Sequence, residues 1–107
     1  MKRGEVWWVS FDPSLGGEIR KTRSAVIVSN DAANRNLNRL QVVPLTSKTE
    51  RLYPCETYVT VNTETSKAAA DQITTISKQR LRERVGVLSP EDMAGVERII
   101  RLQLALS

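Results

Sequence analysis

Before Ser89 every apolar run in this chain is short and is cut off by turn-forming or charged residues. Runs of that length make strands rather than helices. The firmest, Ala25-Val26-Ile27-Val28-Ser29, is apolar and β-branched almost throughout, the pattern of a strand buried on both faces. Glu5 to Phe11 combines tryptophans with valines and stops at Asp12-Pro13, because proline cannot donate to a ladder. Leu40 to Leu45, Ile73 to Ile76 and Arg84 to Leu88 are further strands, and Glu56 to Val61 alternates as a half-buried one. Between them, Asn30 to Asn34 reads as a turn or a short helix capped by Asn30. Lys48 to Pro54 is an exposed connection, Asn62 to Lys67 a polar turn, and Lys78 to Leu81 one helical turn. Only Ser89-Pro90-Glu91-Asp92 opens a long helix, with a serine cap, proline in the first turn and acids at the positive end. Met93, Val96, Ile99 or Ile100, and Leu104 give that helix an apolar face for core packing. Short strands followed by one helix predict a mostly-β fold with a C-terminal helix: a small barrel, one domain over residues 1–107.

A chain of 107 residues buries roughly two-thirds of the surface it exposes when unfolded, enough for one core. No apolar segment approaches the ~18 residues that span a bilayer, and Met1-Lys2-Arg3-Gly4-Glu5 has no apolar signal core. The single Cys55 cannot form an internal disulfide, which predicts a cytoplasmic location and a buried thiol. There is no histidine, the usual acid–base group at neutral pH and the commonest metal ligand. With no Asp/Glu cluster at ligand spacing either, no metal and no cofactor are expected. A net charge of +4 and a pI near 9.6 point to an anionic partner such as a nucleic acid.

The residues with chemical potential gather around Gly16 to Asn30. Gly16-Gly17 permits backbone angles that other residues avoid, and the basic segment after it leads into the Ala25 strand. Arg23 stands at that junction, with Glu18 upstream and Arg20 and Lys21 beside it. A guanidinium held there can aim its forked donors at a phosphate. Thr46-Ser47-Lys48 ends another strand and offers two hydroxyls and a cation. Trp7 and Trp8 are adjacent, so in a strand they face opposite ways. One belongs to the core; the other, nearer the surface, can stack on a base or serve an interface.

It is the order of these pieces that is specific. R-G-E-V-W-x-V-x-F-D-P, G-G-E…R-x-A-V-I-V-S-N-D, V-V-P-L-T-S, D-Q-I-x-T-I-S-K-Q-R-L and G-x-L-S follow one another along nearly the whole chain. This arrangement resembles the MazF/PemK family of toxin endoribonucleases. The resemblance implies an SH3-like β-barrel that forms a homodimer, cleaves single-stranded RNA such as mRNA at short sequences, and is neutralised by a MazE-like antitoxin peptide. It also implies that Arg23 is the catalytic arginine, Thr46 the catalytic hydroxyl and Glu18 the loop glutamate. Asp71-Gln72 matches the family's acidic–glutamine pair in the RNA groove. Where the family has proline after the arginine, this chain has Ser24, which should soften the junction of loop and strand.

The expected chemistry is attack by the RNA's own 2′-hydroxyl on the adjacent phosphate, leaving a 2′,3′-cyclic phosphate and a 5′-hydroxyl. Arg23 and Thr46 serve as donors to the non-bridging oxygens. Glu18 either takes the 2′ proton or orients Arg23. Arg20, Lys21, Ser47 and Lys48 track the backbone, and Asp71 and Gln72 read unstacked bases. Two other classes fit a small basic barrel. One is a non-catalytic CcdB-like toxin, which binds gyrase through a C-terminal Trp-Gly-Ile, where this chain ends Leu104-Ala105-Leu106-Ser107. The other is an RNA-binding module that does not consume its ligand.

Overall fold

The computed structural model describes residues 1–11 and 22–107. Glu18, Arg20 and Lys21, expected at the site, lie outside the described residues. Seven strands occur among the described residues: β1 (Glu5–Ser10), β2 (Thr22–Ile27), β3 (Arg39–Thr46), β4 (Glu56–Val61), β5 (Glu64–Ala69), β6 (Thr74–Ser77) and β7 (Leu81–Val87). A short helix α1 (Asp31–Asn36) follows β2, and α2 (Pro90–Gln103) closes the fold. The strands pair antiparallel in the order β4-β5-β3-β2-β1-β7, with β6 also on β3. The result is a curled antiparallel sheet, a half-barrel, with one C-terminal helix.

β3 makes the curl possible by changing partners along its length. One edge pairs with β2 over Val42 to Pro44; the other takes β6 up to Val42 and then β5 from Leu45. The sheet turns until the tip of β4 reaches β7, where Asn62 Nδ2 donates to the Val85 carbonyl at 2.8 Å. Gly86 allows that approach: a Cβ there would lie 3.1 Å from Val61 Cγ1.

Burial on both faces of the central strands follows from the two cores. Val6, Val26, Val43, Leu45 and Val59 pack on one face with Val96 and Ile99 of α2. Val9, Ala25, Ile27, Leu40, Val42 and Ile76 pack on the other, joined by Trp7 and Phe11. Alternation along β2 therefore sends Val26 into one core and Ala25 and Ile27 into the other, as the unbroken apolar run predicts. Each such side chain contributes about 1.5–3 kcal/mol of burial.

α2 is capped as expected, Ser89 Oγ accepting from the Asp92 amide at 3.1 Å, and Asp92 Oδ2 in turn accepts from the Thr60 amide at 2.8 Å. Met93, Val96 and Ile99 are buried, but Leu104 lies beyond the helix and is exposed, so the core-packing stripe is shorter than predicted. α1 is capped by Asn30, whose Oδ1 accepts from the Ala33 amide at 2.8 Å.

Several strand boundaries differ from expectation, among them β7, which starts at Leu81 rather than Arg84, and two of the differences matter for the site. β2 begins at Thr22 and ends at Ile27, so Arg23 lies inside the ladder, opposite Val9, rather than at a junction. The polar stretch Asn62 to Lys67 is not a turn. Only Asn62 and Thr63 turn, both with positive φ (50° and 68°), and Glu64 onward pairs with β4 as β5. Pairing of every β5 residue with β4 outweighs the weak strand propensity of its polar side chains.

Candidate active-site groove

The open end of the curl is a groove of about 440 Å³, a size typical of ligand sites, which run to roughly 300–1,000 Å³. Its floor is apolar: Val6 from β1, Leu45 from β3, Val61 from β4 and Val85 from β7. Thr22, Arg23 and Ser24 of β2 and Thr46, Ser47 and Lys48 at the end of β3 form one side of the rim. Glu64 and Ser66 of β5 form another, and Trp8 of β1 completes it.

The sheet register explains how residues far apart in sequence meet. β1 holds β2 through Trp8–Ser24, Val9–Arg23 and Ser10–Thr22 pairs, and β2 meets β3 from Ile27–Val42 to Ala25–Pro44. Beyond the last of these pairs Arg23 and Thr46 continue the two neighbouring strands, and both line the groove. Arg23 is exposed and Thr46 half-buried. Thr46 Oγ1 accepts from the Lys48 amide at 3.3 Å, which leaves its hydroxyl proton free to donate. Pairing with Val9 supplies the extended backbone at Arg23 that a proline at position 24 would otherwise favour. The softened junction expected from Ser24 is thus countered by the ladder.

Of the expected site residues, Arg23, Thr46, Ser47 and Lys48 are brought together here. Asp71 and Gln72 are not. They form a 3-10 turn (Ala70–Gln72) after β5, and neither lines the groove. Asp71 lines a second groove of about 600 Å³ with Tyr53, Cys55 and Leu102. Cys55 is half-buried there rather than fully buried. Burial, and the hydrogen-bonded Asp71 carboxylate beside it, push its thiol above the ordinary value, which makes it a poor nucleophile.

Trp7 and Trp8 divide as a strand requires. Trp7 packs on the core, its indole N–H donating to Glu5 Oε1 at 3.0 Å, while Trp8 is 42% exposed at the groove. Glu64 and Ser66 were absent from the sequence-based site, because they fall in the stretch read as a turn. The chain signal for them was the period-two partnering of β5 with β4, visible only once the hairpin is placed.

Behind the rim, Lys67 is the cross-strand partner of Thr46. It is 6% exposed, and its ammonium donates to Glu56 Oε1 at 2.9 Å and to the Arg51 carbonyl at 2.5 Å. Burial pushes the Glu56 carboxyl up, but the Tyr53 amide and the Lys67 ammonium outweigh it and hold the group below its ordinary value of 4.5. The pair ties the connection after Lys48 to β5. Among the described residues no group of three or more His, Cys, Asp or Glu side chains could hold a metal ion, and no helix is long and apolar enough to cross a membrane.

The chain is similar to proteins of one family. A family model described as PemK-like, MazF-like toxin of type II toxin–antitoxin system matches residues 2–104. Endoribonuclease MazF9 of Mycobacterium tuberculosis is 37% identical over 115 residues, spanning 99% of this chain and 98% of that protein. Endoribonuclease EndoA of Bacillus subtilis is 29% identical over 112 residues, spanning 99% of this chain and 96% of that protein. A solved structure of a mycobacterial endoribonuclease in complex with its cognate antitoxin has a TM-score of 0.83 at 28% identity, covering 100% of this chain and 97% of that one.

Proposed function

The chain belongs to the PemK-like, MazF-like toxins of type II toxin–antitoxin systems, and from that premise we propose that it cuts single-stranded RNA in the groove between β2 and β3. It is an endoribonuclease toxin, works as a homodimer and is neutralised by a cognate antitoxin. Residues 1–107 act as one domain in the cytoplasm, where mRNA and antitoxin are made.

The observation that carries the site is the meeting of Arg23 and Thr46 across neighbouring strands in one groove. The 2′-oxygen attacks the adjacent phosphorus, the bond from phosphorus to the 5′-oxygen breaks, and a 2′,3′-cyclic phosphate and a 5′-hydroxyl result. Arg23 places its fork on the non-bridging oxygens, and Thr46 donates its hydroxyl to the same developing charge. Glu18 either takes the 2′ proton or orients Arg23 while water takes it, and the departing 5′-oxygen takes up a proton from water. Arg20, Lys21, Ser47 and Lys48 hold the flanking backbone. Asp71 and Gln72 stand apart from this groove, so the RNA contacts assigned to them are separate ones.

A mechanism that draws its nucleophile from the substrate needs no metal-bound water. Cleavage is therefore expected to survive EDTA, to stop when one 2′-deoxy nucleotide precedes the cut while binding persists, and to leave a cyclic phosphate. A deoxy substrate cut at the normal rate would overturn the assignment. The absence of any cut in a long RNA would instead favour the binding-module reading.

A further inference from the structure

We propose that Glu64 is a specificity-determining residue that reads the base of a nucleotide next to the cut while Trp8 stacks on it. The inference rests on the RNA-cleaving reading of the groove and goes beyond it by naming what selects the sequence.

Glu64 is exposed and is the one carboxylate among the described residues lining a groove whose other charged members, Arg23 and Lys48, are cations. Among the described residues it enters no ion pair, unlike Glu5, Glu56 and Glu97. Its position argues against a part in proton transfer. Lys67 is the β5 residue opposite Thr46, and Glu64 lies three residues from it along the strand. At about 3.3 Å per residue that is roughly 10 Å of backbone between Glu64 and the residue paired with Thr46. A separation of that order suits a neighbouring nucleotide instead.

Trp8 and Glu64 both line the opening, Trp8 on β1 and Glu64 on β5, with β2 and β3 between them in the sheet. An aromatic plane on one wall and a polar group on the other is how an unstacked RNA base is held and read. The wall that carries Glu64 is fixed: Asn62 ties the hairpin tip to Val85, and Thr63 adopts a left-handed backbone that a β-branched residue rarely takes. Such local strain persists only where the surroundings enforce it.

The chemistry of a carboxylate selects the base. It has acceptors only, so it matches the paired donors N1–H and N2–H of guanine. Adenine and cytosine each offer one amino group beside an acceptor that repels it, and uracil sets its single N–H between two carbonyls. Guanine is therefore favoured at this position and uracil is disfavoured.

A randomised single-stranded RNA pool, partly cleaved by the wild-type protein and sequenced at the cuts, tests this directly. Guanine should be enriched at one position next to the cut. Glu64→Gln exchanges one acceptor for a donor, so that enrichment should fall roughly tenfold, the scale of one bidentate base contact, with adenine gaining. Trp8→Ala should lower kcat/KM for all sequences together, because stacking tolerates every base. An unchanged base ranking in Glu64→Gln would overturn the proposal. So would an equal loss of kcat on all sequences, which would make Glu64 part of the proton transfer. The pool retained by immobilised Arg23→Ala protein, with and without Glu64→Gln, is read in the same way. If the wild-type protein cuts nothing, the RNA-cleaving reading fails, and this retained pool alone decides whether Glu64 selects guanine.

Discussion

In the proposed mechanism Arg23 and Thr46 each have one task that a near neighbour in chemistry cannot perform. Removing one preorganised donor to a developing oxyanion costs about 2.7–4 kcal/mol, a factor of roughly 10²–10³ in rate. Arg23→Ala and Thr46→Ala should each lower kcat by at least that order while the melting temperature stays close to wild type. Neither side chain belongs to the two cores, so the fold does not depend on them. Arg23→Lys should also be poor, because an ammonium cannot reproduce a fork. Near-full activity in any of the three, measured on a defined RNA, would relocate the site. At this scale the sequence named Arg23 and Thr46 through the order of motifs, but nothing local in it said that they line one groove. That follows from the Ala25–Pro44 pairing. Glu64 and Ser66 were hidden for the opposite reason, since a run of polar residues near a hairpin tip looks like a turn until its partner strand is known. Asp71 and Gln72 illustrate a further limit. They were named through the family resemblance, with no local signal of where they sit, and they lie in the turn after β5 rather than on the Arg23 groove.

Elements hold these residues in place through a few polar ties. The buried Lys67–Glu56 pair joins β5 to the start of β4 beside Thr46, and breaking one partner of such a pair typically costs 3–5 kcal/mol. Lys67→Met alone should be strongly destabilising in chemical denaturation, whereas Lys67→Met with Glu56→Leu should recover much of the loss. The same pair sets a pH dependence. The folded-state value of Glu56 lies below its ordinary 4.5, so the unfolded chain binds more protons in that window and stability rises with pH through it. Its contribution is complete above about pH 5 and is lost as pH falls through the folded value. Asp31, held low by the Arg3 amide and Asn34, acts in the same direction. Acid should lower the melting temperature, and Glu56→Gln should make that decline shallower; an identical slope in the variant would remove Glu56 from the account. A second tie bears on catalysis. Arg80, in the 3-10 turn Lys78–Arg80 before β7, donates to the Ser10 and Phe11 carbonyls at 3.2 and 3.3 Å. Ser10 pairs with Thr22, so Arg80 braces the strand pair that presents Arg23. Arg80→Ala should reduce kcat more than it raises KM, with partial recovery in Arg80→Lys. The strands that carry these ties were readable wherever their residues are β-branched or aromatic. β5 was not, because pairing and a buried ion pair hold it rather than its own propensity.

At the scale of the whole molecule, the groove proposed to receive RNA is also a surface on which an antitoxin would compete with it. Arg23 and Lys48 attract phosphate and carboxylate alike, and the exposed Trp8 ring at the rim offers apolar surface as well. An acidic, partly apolar antitoxin tail would use both features and order itself on binding. Two ways of neutralising the toxin then differ in measurable form. If the tail occupies the groove, the apparent Kd for an uncuttable 2′-deoxy RNA should rise in proportion to antitoxin without limit, about 100-fold at 100 times the antitoxin's own Kd. If the tail instead binds elsewhere and acts through a change of state, the effect should level off at the coupling factor, typically 5–150-fold. Competition also predicts that Lys48→Ala weakens both ligands. The titration should be run at fixed salt, since RNA binding through cations falls steeply as salt rises. A plateau, with RNA and antitoxin bound together on one protomer, would show that the groove is left open and that neutralisation is allosteric.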